Sequence, residues 1–96
     1  MTQIQFWRLA DFLPSTSRSR SMLYEDQKKG LFPTPIQLGG DNARASSYLA
    51  HEVNAVLVAR AAGQNDEQVK ALVTKLKGQR AELLEGTLAQ IDSMAA

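Results

Sequence analysis

One stretch of this sequence holds residue types and spacings that could do chemistry. In SRSRSMLYEDQKKGLFPTP, residues 17 to 35, small hydroxyls and arginines stand at an expected helix start, followed by a Tyr, a Lys pair, a Gly and two prolines. A helix N-terminus offers unpaired backbone N–H groups and a partial positive charge, so Arg18, Ser19, Arg20 and Ser21 are placed to hold an anion such as a phosphate. The Arg20 guanidinium can bond two acceptors at once, and Tyr24 brings a hydroxyl one turn on. Lys28 and Lys29 add two cations in the last turn. Glu25 and Asp26 weigh against an anionic target, and on composition alone a capped, solvated surface helix explains the stretch as simply.

Other chemistries find less support. His51 is the sole histidine, the chain has no cysteine, and no acidic pair at helical spacing surrounds the imidazole, so no metal site is expected. His51 beside Glu52 on one helix is no triad with any serine, because a triad is defined by roles and geometry. Gly39-Gly40 before Asp41-Asn42 reads as a tight turn and not as a phosphate loop. The expectation is a protein that is not an enzyme and takes no cofactor. A net charge of +1 does not announce a nucleic-acid binder; the placement of the basic residues must decide. The absence of cysteine fits a reducing compartment, and no apolar run approaches the roughly 20 residues of a membrane span. The N-terminus MTQIQFWRLADF lacks the order of a signal peptide, so a cytoplasmic protein without a membrane partner is expected.

These residues need elements to position them. Phe6, Leu9, Ala10 and Leu13 recur at helical steps, which predicts a first helix over FWRLADFL (6–13) stopped by Pro14. PSTSRS (14–19) is a turn, with Ser19 the N-cap of a second helix over about 20–29 and Gly30 its left-handed exit. LFPTPIQLGGDNARASSY then reads as two extended segments around a Gly-Gly-Asp-Asn turn, a small hairpin. A third helix begins at Leu49 with the stripe Leu49, Val53, Val56, Leu57 and Arg60, and Gly63 ends it. NDEQ (65–68) is a capping box opening a fourth helix striped by Val69, Leu72, Val73, Leu76, Leu83 and Leu84. Gly78 and Gly86 weaken its second half, so solid helix is expected to about Arg80 and fraying beyond. Phe6, Trp7, Leu23, Phe32, Ile36, Tyr48, Val53 and Leu57 are the expected core. The fold class is therefore mainly α with a small β-hairpin: a winged helix-turn-helix over 1–63 and a helical extension over 64–96 that packs on helix three or mediates self-association.

The residues Arg8-Leu9, Ser19-Arg20-Ser21, Leu23-Tyr24, Gly30, Phe32-Pro33, Pro35-Ile36, Leu38-Gly39, Arg44 and Glu52-Val53 resemble, in order and spacing, the AlpA family of phage and prophage regulators. These are small winged-helix proteins related in architecture to MerR-type domains and excisionases, and the match covers roughly residues 6 to 62. The chain departs from the pattern at Tyr48, where Trp is usual, and at Glu25, where Arg is common. It also has Ser17-Arg18 in place of Gly-Leu, and a longer wing.

The resemblance implies that helix 20–29 enters the major groove of double-stranded DNA. Arg20 would read a base, Ser19 and Ser21 would bond a phosphate or base edge, and Tyr24 would meet the backbone. Arg18, Lys28 and Lys29 would neutralise phosphates beside the groove. A wing near 39–44 would bring Arg44 to a phosphate or a narrow minor groove, unless Arg44 is tied to Asp41. The implied function is a sequence-specific transcriptional regulator of phage, prophage or integrative-element origin. The alternatives are an excisionase that bends attachment-site DNA and a protein-interaction module, with self-association on DNA, an integrase or another protein as possible partners.

Overall fold

A computed structural model of the chain describes residues 4–38 and 46–95. In chain order the elements are β1 (Phe6–Trp7), α1 (Leu9–Thr16), α2 (Arg20–Lys28), β2 (Ile36–Gln37), β3 (Ser46–Leu49), α3 (Ala50–Ala61) and α4 (Asp66–Ala95). The molecule is mainly helical with a small antiparallel sheet, compatible with a winged helix-turn-helix. The Gly-Gly-Asp-Asn turn and Arg44 lie outside the described residues.

The expected helix over 6–13 is corrected at both ends. Phe6 and Trp7 form a short strand opposite Leu49 and Tyr48, so the sheet has three strands in the order β1-β3-β2. The Ala50 N–H donates to the Gln5 carbonyl at 2.9 Å, extending this pairing by one bond. Phe6 is consequently 43% exposed and is not part of the core. Pro14 does not stop the helix but sits inside it. Its ring removes only one backbone donor near the C-terminal end, and Ser17 closes the helix from the left-handed region at φ 57°.

In α2 local signals are realised. The Ser19 hydroxyl accepts from the Met22 N–H at 3.2 Å, and Gly30 leaves at φ 77°. The helix ends one residue earlier than expected, with Lys29 as its C-cap. β2 and β3 pair as the expected hairpin, Ile36 opposite Ser47 and Gln37 opposite Ser46.

A single core joins Phe12, Leu23, Phe32, Tyr48, Val53 and Val69 with their neighbours. Phe12 anchors it, its ring edge-on to Tyr48 at 4.9 Å and stacked on Phe32 at 5.8 Å. Ile36 and Leu57 are only half-buried at its margin. Leu49 belongs to β3 and not to the third helix, and the buried face of α3 is Ala50, Glu52, Val53, Val56 and Ala59. Arg60 leaves that face for the surface, where it pairs with Asp66 at 2.9 Å.

The first half of α4 packs Val69, Val73 and Leu76 into the same core. Its start is the expected capping box: Asn65 N–H to Gln68 Oε1 and Gln68 N–H to Asn65 Oδ1, each 3.0 Å. The helix does not fray after Arg80 but continues to Ala95. Two glycines cost about 1 kcal/mol each, while the Ala, Leu, Glu and Gln around them are strong helix formers and Leu83, Leu84 and Thr87 are half-buried. Arg80 itself is an anchor. Its guanidinium bonds both oxygens of the fully buried Glu52, at 2.8 and 2.6 Å, and the Thr34 carbonyl at 2.6 Å. One side chain thus ties α4 to α3 and to the segment leading into β2.

Candidate nucleic-acid interface

The orientation of α2 follows from one residue. Leu23 is fully buried, which turns the opposite side of this nine-residue helix to solvent. Arg20, Tyr24 and Lys28 recur every fourth residue, and at about 100° per residue they drift only about 40° per step, forming one exposed stripe. Ser19 and Ser21 flank its N-terminal end, both exposed. Because the Ser19 oxygen already accepts from Met22, its O–H remains able to donate to an anion beside the open N–H groups of the first turn.

The acidic residues of α2 are partly removed from this stripe. Asp26 lies on the far side and holds Arg18 through two contacts, Nε to Oδ2 at 2.6 Å and NH2 to Oδ1 at 3.0 Å. Arg18 is therefore engaged, and its use on a phosphate would mean exchanging one partner for another. Glu25 makes only a long, exposed contact of 3.8 Å with Lys28, which water and salt readily screen. Lys29 is exposed at the helix end, and Arg44 lies outside the described residues.

The helix is clamped from below. Gln27 Nε2 donates to the Tyr48 hydroxyl at 2.7 Å, linking α2 to β3. Burial raises the pKa of Tyr48, the Gln27 hydrogen bond lowers it, and the nearby Tyr24 and Arg20 add smaller opposed effects. Tyr48 thus stays a neutral phenol whose own proton is available. Tyr24, Gln27, Lys28 and Thr34 line an open depression beside the stripe. Thr34 lines this depression and its carbonyl accepts from Arg80, so the Glu52–Arg80 pair holds one lining residue from the core.

Gln27, Glu52 and Arg80 are the residues that reading the sequence missed. A signal existed for two of them. Glu52, Val56 and Ala59 follow a helical i, i+4, i+7 stripe, and Arg80 continues the stripe of Val69, Val73 and Leu76. Opposite charges on the facing stripes of neighbouring helices mark a buried pair.

The remaining expectations concern other chemistry. Among the described residues no group of three or more His, Asp or Glu could hold a metal ion, and His51 is exposed. Among the described residues no helix is long and apolar enough to cross a membrane. No family model matches the chain, and no solved structure matches it. It is 38% identical over 64 residues, 67% of its own length and 69% of the relative's, to an uncharacterized protein, ORF88, of Enterobacteria phage P4.

Proposed function

From the premise that the chain belongs to the family of the uncharacterized phage P4 protein ORF88, we propose that it is a sequence-specific DNA-binding regulator of phage type. The observation that carries this reading is the exposed stripe of α2: Ser19, Arg20, Ser21, Tyr24 and Lys28 on one face, with Asp26 turned away and neutralised by Arg18. The resemblance to the AlpA family supports the same use of the helix.

In this reading the N-terminal turn of α2 enters the major groove. Arg20 donates two hydrogen bonds to the acceptors of a guanine, while Ser19 and Ser21 bond a phosphate or an adjacent base edge. Tyr24 packs on the sugar-phosphate backbone, and Lys28 and Lys29 displace counterions along the flank, so that affinity falls as salt rises. The rigid seat of α2 on Leu23 and Tyr48 keeps these donors in register with the bases. In this reading, as the AlpA resemblance implies, a wing near 39–44 brings Arg44 to a phosphate or a narrow minor groove. Replacing Arg44 by alanine should weaken binding to all sequences about equally and lower the salt slope by about one.

The test is a gel shift with DNA from upstream of the protein's own gene, titrated with unrelated competitor at moderate salt. Retention of the specific complex while competitor removes non-specific binding is the expected result. Equal loss of both would exclude a sequence-specific role.

A further inference from the structure

We infer that the groove between the outer side of the sheet and the C-terminal half of α4 is a docking site for a basic amphipathic helix of a protein partner. This inference stands apart from the DNA-binding reading and uses none of its residues.

The groove encloses about 740 Å³. Phe6 and Leu38 form one wall, and Leu84, Leu88, Ile91 and Met94 the other. Its large apolar side chains are open to solvent: Phe6 43%, Leu38 52%, Leu88 59%, Ile91 54% and Met94 81% exposed. Single exposed leucines are ordinary, but a contiguous apolar cleft on a chain this small marks a contact surface.

The shape of the walls selects the kind of segment. The strands beside the groove, β1 and β2, are two residues long, too short to template an added strand. Affinity must therefore come from side chains. The apolar residues of α4 from Leu84 to Met94 cover about three helical turns, about 15 Å, the span of i, i+3, i+4, i+7 anchors on a docked helix.

Charge selects the chemistry of the occupant. All eleven Lys and Arg residues lie in 1–80, while residues 81–96 carry Glu82, Glu85 and Asp92 and no cation. Glu85 follows Leu84 and Asp92 follows Ile91, so two carboxylates two turns apart line the same flank of the apolar stripe. Neither they nor Glu82 enter an ion pair with any described residue. These carboxylates stand beside the groove and not among its lining residues, and they repel nucleic acid and anionic lipid. Two α4 stripes laid antiparallel, as in a symmetric pair of copies, would set these carboxylates against each other. An apolar helix edged with Lys or Arg satisfies both the stripe and the flank.

The experiment uses the full chain and two labelled amphipathic peptides of about 18 residues, long enough for some helix in water, with leucines at i, i+3, i+4 and i+7. One carries Lys on its polar face, the other Glu, and binding is read by fluorescence anisotropy. The Lys peptide should bind at least about tenfold more tightly than the Glu peptide, about 1.4 kcal/mol of discrimination. Leu88→Gln with Ile91→Gln should reduce that binding by about tenfold or more. Glu85→Lys with Asp92→Lys should reverse the peptide preference. Both double variants change exposed side chains, and unaltered circular dichroism confirms that they fold. Equal binding of the two peptides, or indifference to either double variant, overturns the inference. So does a dimer by sedimentation equilibrium that Leu88→Gln with Ile91→Gln dissolves, or pelleting with phosphatidylserine vesicles that the same variant abolishes; these would assign the groove to a second copy or to a membrane.

Discussion

Two arginines in this molecule hold carboxylates through two contacts each, and their settings give the same chemistry different work. Arg80 and Glu52 meet in the core, Glu52 without solvent contact, and the guanidinium also satisfies the Thr34 carbonyl. Arg18 and Asp26 meet at the edge of α2, where the arginine side chain is 40% and the aspartate side chain 13% exposed. In the core, loss of either partner strands a charge that water cannot reach. At the surface, water and salt replace a lost partner at small cost, and the effect of the pair is to decide which charge α2 shows to its surroundings.

The largest expected effect comes from breaking the buried pair on one side. Arg80→Ala leaves the Glu52 carboxyl buried without its partner between α3 and α4 and frees the Thr34 carbonyl, for a loss of about 3–5 kcal/mol in urea denaturation. Domains of this kind hold only about 5–15 kcal/mol in total, so the variant should be close to unfolding at room temperature. Replacing both partners by methionine removes the stranded charge and should recover most of that loss. A single variant that costs under about 1 kcal/mol would mean that water reaches Glu52, and the contrast between the two pairs would fail.

An intermediate effect belongs to Arg20, which stands on the exposed stripe and is in no ion pair with any described residue. Arg20→Ala should leave the circular dichroism spectrum and the melting curve unchanged while removing about 1–3 kcal/mol of discrimination between the best site and its variants. Retained preference would move base reading elsewhere on α2. The result would also separate an arginine that recognises from one that is held by a carboxylate.

How far these features were legible depends on the reach of the interactions. The Ser19 cap, the Gly30 exit and the Asn65–Gln68 box join residues within a few positions, and each shows in the sequence as a residue type at a fixed offset. Phe6 and Trp7 fit a helical apolar pattern with Leu9 and Leu13, but their partners are Leu49 and Tyr48, and pairing across forty residues outweighed the local pattern. The continuation of α4 was hidden for a similar reason: Gly78 and Gly86 are visible, while the anchoring of Arg80 on Glu52 appears only when two helices are packed together. On α2 the residue types were legible as a cationic, hydroxyl-rich helix start. What spacing alone could not give is which cation is free: Arg18 is taken by Asp26, eight residues on, and Arg20 is not in an ion pair with any described residue.

The smallest effect on stability comes from the surface pair, and it carries the sharper sign. Asp26→Asn keeps the shape of the side chain but removes its charge, and for a two-contact pair open to water on the arginine side this should cost about 1 kcal/mol of stability. DNA affinity should move the other way. An acid disappears from the helix that faces the phosphates, and Arg18, seven residues from Glu25 and beside the capped N-terminus, becomes available to one of them. The slope of log affinity against log salt should steepen by about 0.9, the signature of one added phosphate contact on duplex DNA. An unchanged slope with higher affinity would mean that Asp26 acts only by repulsion and Arg18 stays off the backbone. Lower affinity would mean that the pair orders the start of α2, which would give it the same structural role as the buried one.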